Sequence, residues 1–364
     1  MTTLLHELGH AIPVMLMTKV GASVFVGSYG DKKQCFKIVI GSLDLWFRYN
    51  PLRWRGGLCI PKATNVSLNK QIVYILGGPV FSLLAAAIIC YLAFFFDLHG
   101  ALKLICLFAF CSTVGDFFAN LVPRMFSTSD GSLLYSDGYL LLKLRKLKKF
   151  SLEYERVSAL YFNKEYVEAA IICDNLTERG LVSDDFYRMA STAHIFSKNY
   201  ERARVFQQKL ENEFKLNSND CYNFGLIYMH LKQEDNKKYY LNKSLELNPD
   251  NPYTLNAIGY ELTREHRYDE ALEFLEKTIR IQPDFAYAYN NRGHAKIELG
   301  QVEEGLIDIE ESMRLDNTNS YVFRNLGIYH LTRNEKEEAM KYLLQSREMD
   351  KDTDLIEELI LRAS

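Results

Sequence analysis

GYELTREHRYDEALEFLEKTIRIQPDFAYAYNNRG, residues 259–293, runs from one glycine to the next across an interval of 34. Working outward, Gly225 and Gly327 stand one interval to either side, and the position twelve after a glycine is small at Ala271, Gly305 and Ala339. Pro249 and Pro283 repeat at the same spacing, and the looser segments YVEAA (166–170) and YERAR (200–204) place Ala169 and Ala203 one interval apart. A fixed period of this size marks stacked copies of one supersecondary unit. The glycines and alanines predict where the two helices of a unit touch, since only small side chains permit close approach. About six helix pairs are expected between roughly 152 and 351, closed by a last helix in DTDLIEELILRA.

The period and its small positions resemble the tetratricopeptide repeat. The resemblance implies an α-solenoid whose concave groove takes a protein or peptide partner. His194, His230, His266, His294 and His330 are scattered along it and read as packing or surface residues, not as a metal site.

The chain before these repeats is of another kind. Residues 1–142 are rich in Leu, Phe, Ile and Gly with few acids, whereas residues 151–364 hold nearly all the Asp and Glu. A basic stretch, KLRKLKKF (143–150), lies between and reads as a juxtamembrane anchor against anionic headgroups. The expected domains are therefore 1–142, a linker at 143–151, and a repeat domain at 152–364 with its capping helix. The net charge of −3 gives no reason to expect a nucleic-acid partner. Seven scattered cysteines, without metal-finger spacing, read as reduced packing residues.

Residues 72–96, IVYILGGPVFSLLAAAIICYLAFFF, contain no charge in 25 positions, which exceeds what a helix needs to cross a bilayer. Residues 104–123 form a second apolar run broken only by Asp116, and residues 1–18 a shorter first one. With three spans, Lys and Arg number eight in 21–70, six in 124–149 and one in the short link 97–103. The basic side is cytoplasmic, so the expectation is an integral membrane protein with cytoplasmic repeats. Between the first two spans, SVFVGSYGDKKQCFKIVIGSLDLWFRY predicts a β-hairpin about a Gly-Asp-Lys-Lys turn. The fold class expected is mainly α, a three-span membrane domain with a small hairpin followed by the solenoid.

His6-Glu7-Leu8-Gly9-His10 is an H-E-x-x-H match on the first predicted helix. Residues four apart share a helix face, so two imidazoles can grip one Zn²⁺ while Glu7 reaches a water beside it. Ionisable groups in a membrane span are costly, and a metal is the simplest partner that would hold all three. Catalytic zinc takes three protein ligands and leaves a position open, so a third ligand is expected elsewhere.

Asn120-Leu121-Val122-Pro123 closes the last apolar run, and Ser136-Asp137-Gly138-Tyr139 precedes a further helix. Together with H-E-x-x-H, these residues resemble the site-2 protease family of intramembrane zinc metalloproteases. The resemblance implies zinc bound by His6, His10 and the Asp of a D-G pair, Glu7 as general base, and Asn120 positioning substrate or the oxyanion. It also likens Gly77-Gly78-Pro79 to that family's G-P element, and the hairpin to its substrate-presenting β element. Two D-G pairs compete for the third ligand. Asp137 is preferred because a helix with an apolar start follows it, and Asp130, in the turn-like STSDGS, is the alternative. Asp137 as a plain helix N-cap is the bland reading. Asp116, four residues before Asn120, is a candidate supporting residue on the same face. The expected function is peptide-bond hydrolysis of membrane-protein or peptide substrates, with the repeats recruiting a protein partner. The competing expectation is an inactive, membrane-tethered repeat scaffold.

Overall fold

The computed structural model describes all residues except Met1, Arg55, Thr64, Asn65 and 128–132. The chain is mainly α, with a small mixed sheet near its start, and packing divides it into two compact units, Met1–Lys215 and Leu216–Ser364. The expected juncture at 143–151 falls inside the first of these.

The first unit opens with helix α1 (Thr2–Thr18), followed by β1 (Ala22–Val26), β2 (Cys35–Ile40), β3 (Leu43–Arg48) and β4 (Gly57–Pro61). Two long apolar helices follow, α2 (Leu68–Phe95) and α3 (Gly100–Leu121). At 1.5 Å per residue they extend roughly 42 and 33 Å. Helices α1 and α2 cross with their backbones in contact. A Cβ on Gly9 would sit 2.5 Å from the carbonyl oxygen of Gly77, so the crossing requires glycine. Ala11 and Val14 of α1 pack with Val24, Val26 and Leu45 into a core beneath the sheet. By contrast Leu84, Ile88, Phe95, Leu104, Ile105, Phe108 and Phe118 of α2 and α3 are exposed.

The expected hairpin is corrected in its partners. The strand order is β2-β3-β1-β4, so β1 does not pair with β2 across the Gly-Asp-Lys-Lys segment. The hairpin is β2 with β3, joined by Gly41-Ser42, where Gly41 takes φ +58. A two-residue turn with positive φ matches the twist of its flanking strands. Strand β1 runs parallel to β3 and pairs antiparallel with β4 on its other side.

After α3 come β5 (Met125–Ser127) and β6 (Leu133–Tyr135), a second antiparallel pair, then α4 (Asp137–Leu147). A single 3-10 turn, Lys148–Phe150, carries α4 into α5 (Ser151–Phe162) without a break. Its basic stretch is amphipathic: Leu144, Leu147 and Phe150 turn inward while Arg145, Lys146, Lys148 and Lys149 are exposed. Lys143 departs from the anchoring role expected of it, since it is buried in ion pairs with Asp184 and Asp185. Helices α6 (Tyr166–Glu178), α7 (Asp184–Phe196) and α8 (Tyr200–Glu213) complete the unit, with Ala169 and Ala203 fully buried.

The second unit consists of α9 (Ser218–His230), α10 (Glu234–Leu247), α11 (Pro252–Arg264), α12 (Tyr268–Ile281), α13 (Ala286–Glu298), α14 (Val302–Leu315), α15 (Ser320–Thr332), α16 (Lys336–Met349) and α17 (Ile356–Ala363). Within each pair, the periodic glycine receives the side chain sixteen positions later: Leu241 on Gly225, Leu275 on Gly259, Ile309 on Gly293 and Leu343 on Gly327. The small position twelve after the glycine is buried at Ala271, Gly305 and Ala339. At Lys237 the same position carries a charge, buried and paired with Glu234 and with Glu261 of the next pair.

A Cβ at Gly259 would lie 2.7 Å from Leu275, itself fully buried. Gly259→Val is therefore expected to lower stability by about 1–3 kcal/mol through overpacking, read as an earlier midpoint in chemical denaturation. An unchanged midpoint would show that α11 and α12 are not in this contact.

Candidate functional site

His6 and His10 lie one turn apart on α1, and the sequence offers nothing near them that could complete a metal site. The structure supplies the third group from the start of α4. Asp137 Oδ2 lies 3.2 Å from His6 Nε2, Asp137 Oδ1 lies 3.4 Å from His10 Nε2, and the two Nε2 atoms are 3.1 Å apart. Among the described residues this is the one group of three potential ligands whose donor atoms converge, all within 4.8 Å of one another. Zinc held tetrahedrally at its usual N and O distances puts neighbouring donors about 3.3 Å apart, so the set fits such an ion. Two imidazoles and one carboxylate also match the donor chemistry of catalytic zinc.

His10 and Asp137 are positioned by the elements around them. His10 Nδ1 is 2.7 Å from the carbonyl oxygen of Tyr74 on α2. That acceptor fixes the proton on Nδ1 and leaves the Nε2 lone pair facing the other two ligands. The ring fits because residue 78 is glycine; a Cβ there would collide with the imidazole. Asp137 is the first residue of α4, and the N-cap is Ser136, whose Oγ accepts from Tyr139 N–H. The capping role considered for Asp137 thus belongs to its neighbour, and its carboxylate is free to face the histidines. Ser136 Oγ also donates to Val122 O at 2.8 Å and accepts from Arg124 N–H at 2.9 Å, tying the start of α4 to the end of α3. The glycine of the D-G pair has a steric reason: a Cβ on Gly138 would run into the carbonyl of Leu121.

A cavity of about 400 Å³ opens beside the three groups, lined among others by Glu7, Tyr74, Thr113, Asp116 and Asn120. Glu7 is buried, takes a hydrogen bond from the backbone of Cys59 on β4, and packs so closely on β4 that a Cβ at Gly57 would stand 2.7 Å from its Oε1. The geometry therefore gathers His6, His10, Asp137, Glu7 and Asn120 around one space, with Asp116 on its wall. Asp130 lies outside the described residues. The repeat histidines go elsewhere: His194 faces Asp174, His294 faces Glu298, and His330 faces Glu335. Sequence reasoning missed Tyr74, Ser136 and Gly57. Only Ser136 carried a signal, as a serine directly before a helix start.

Comparison with known proteins reaches the other half of the chain. The tetratricopeptide repeat model matches three consecutive units, residues 221–251, 252–285 and 286–319, all in the second compact unit. These residues form a tetratricopeptide repeat array. None of the curated proteins matches the chain. Among solved structures, the Cut9-Hcn1 hetero-tetramer of APC/C aligns at 12% identity over 81% of this chain and 55% of that one, with a TM-score of 0.49. A tetratricopeptide repeat protein from Parabacteroides merdae aligns at 15% identity over 77% of this chain and 98% of that one, with a TM-score of 0.46. YrrB, a repeat protein described as having an unusual peptide-binding site, aligns at 20% identity over 46% and 86%, with a TM-score of 0.34.

Because the Leu121 carbonyl leaves no room for a side chain at residue 138, Gly138→Ala should push α4 off α3 and draw Asp137 away from the histidines. A zinc affinity roughly 10–100-fold weaker than wild type, measured by competition with a chromophoric chelator, is the expected outcome.

Proposed function

We propose that this chain is a membrane-embedded, zinc-dependent peptidase whose repeats bind a protein partner. The observation that carries the metal centre is the convergence of His6, His10 and Asp137, 131 residues apart at the extremes, at separations of 3.1–3.4 Å beside a cavity lined by a buried glutamate. Zinc in that position supplies Lewis acidity and makes water a nucleophile near neutral pH. Glu7 takes the proton of the attacking water and returns it to the leaving amine, a role that needs a carboxylate shielded from bulk solvent. Asn120, on the cavity wall, orients the substrate carbonyl or the oxyanion. Strand β4 is an edge of the sheet and touches Glu7 through Gly57. An extended substrate that adds to this edge by main-chain hydrogen bonds passes along the carboxylate.

The membrane setting is part of the same reading. Helices α2 and α3 are long and apolar enough to cross a bilayer, and the outward array from Leu84 to Phe118 is a surface that water does not favour. A core helix of a soluble protein would bury most of that surface. The excess of Lys and Arg on the side of the repeats assigns that side to the cytoplasm.

A second reading has its own support. The family match lies wholly in the repeats, and tetratricopeptide arrays serve protein–protein interaction. That match supports a tethered scaffold without hydrolytic activity more directly than it supports a peptidase, and the two readings part at the metal.

Detergent-purified protein is expected to carry about one zinc per chain by elemental analysis, and His6→Ala or His10→Ala to abolish it. Metal-free wild-type protein would leave the scaffold alone standing. Glu7→Gln should retain the ion while cleavage of a membrane-anchored peptide substrate falls about 10²–10⁴-fold. Equal cleavage by this variant would remove Glu7 from the chemistry. After alkaline carbonate extraction the chain should stay with the membrane pellet; release into the supernatant would count against α2 and α3 as spans.

A further inference from the structure

Asp137 is bracketed by two residues of its own segment that end on one distant carboxylate. Tyr135, two positions before it, donates its hydroxyl to Asp184 Oδ2 at 2.6 Å. Lys143, six positions after it, places its ammonium 2.6 Å from Asp184 Oδ1 and also pairs with Asp185. Asp184 is 2% exposed and is the first residue of α7, the first helix of the second helix pair of the first unit. Arg188, one turn along α7, reaches Asp184 Oδ2 at 2.9 Å and comes within 3.5 Å of the Tyr135 hydroxyl. Nothing in the proposed chemistry uses these groups.

Burial of this kind is expensive unless every charge is answered. Lys143 is 9% exposed, and without Asp184 its ammonium would keep only the half-exposed Asp185. Burial alone would raise the Asp184 carboxyl, but the Lys143 ammonium beside it, with the hydroxyl of Tyr135 and the guanidinium of Arg188, holds it below the usual carboxylate range. It therefore remains an anion throughout the neutral range, a fixed post to which both ends of the segment are tied. From Asp137 to Lys143 is about 9 Å of rigid helix, so fixing Lys143 and Tyr135 fixes the direction from which Asp137 meets the histidines.

We propose that Asp184, acting through Lys143 and Tyr135, is a positioning residue for the metal ligand Asp137, so that the helical repeats are a working part of the metal centre. The proposal rests on the zinc reading above. It assigns to a repeat residue the role that hydrogen-bonded outer groups play around metal ligands, whose loss costs 10–100-fold in affinity.

The test uses the full-length chain in detergent, with zinc affinity measured by chelator competition and the ligand-field spectrum of bound cobalt(II) as a report on coordination. Asp184→Asn is expected to bind zinc at least about tenfold more weakly and to change the cobalt spectrum. Lys143→Met should do likewise, and Lys143→Arg, which keeps the pair, should remain near wild type. Glu168→Gln, in an exposed pair with Arg156, is the control and should change neither readout. Wild-type protein that binds no zinc would defeat the metal-centre reading and this inference together. Wild-type protein that binds zinc while Asp184→Asn stays within about twofold of it, with the same cobalt spectrum, would overturn this inference alone. If Asp184→Asn loses its helical circular dichroism, Tyr135→Phe decides. It removes a single hydroxyl, a weakened affinity supports the assignment, and an unaltered one overturns it.

Discussion

His6, His10 and Asp137 meet with little of their side chains exposed, and three polar groups can be kept so only if something answers them. That requirement orders the first unit. Helix α1 must bring its imidazoles to α2 closely enough for His10 to reach the Tyr74 carbonyl, which the glycines at 9, 77 and 78 permit. Helix α4 must start against the end of α3, which Ser136 and Gly138 permit. The sheet must press β4 onto Glu7, which Gly57 permits. Small residues at these contacts are therefore not spacers between functional groups. They set the distances at which these polar groups meet.

Much of this was legible in the chain, because the relevant signals are local. Helix-face spacing places His6 with His10, the apolar run YLLLKL puts a helix directly after Asp137-Gly138, and the 34-residue period locates the close contacts between paired helices. The tight fits of Leu275 on Gly259 and Leu343 on Gly327 are the physical content of that period. What stayed hidden depends on distant partners. The turn-like segment after β1 points to β2 as its partner, since nothing local says that β1 runs parallel to β3. Parallel pairing is made by the crossover and the packing on α1, not by turn residues. Strand β4 is short and borders residues with weak β character, so it gave no signal. Lys143 looked like one more charge in a basic run, because its burial is decided by Asp184, 41 positions later.

The link between the apolar helices and the helices that follow α4 recurs at a second point. Ser67 precedes α2 without a side-chain cap, and the N–H of Leu68 instead donates to Glu155 Oε1 of α5 at 3.0 Å. An acidic group at a helix start meets both an orphan donor and the positive end of the helix dipole. The helix capped in this way is the one whose Tyr74 carbonyl orients His10. Removing α5 to α8 would thus uncover the beginning of α2 as well as the flank of α4.

Lys237 bears on a problem common to arrays of near-identical modules, which is that any module can in principle stack on any other. In the neighbouring modules its place is taken by Ala271, Gly305 and Ala339, and the counterparts of its partner Glu261 are Ala295 and Tyr329. Shifting the stack by one module would take Glu261 away from the buried Lys237 ammonium and leave it only the exposed Glu234 of its own helix. One misplaced-looking lysine thereby marks a register: the first pair of the second unit is answered fully only when the glutamate-bearing pair follows it.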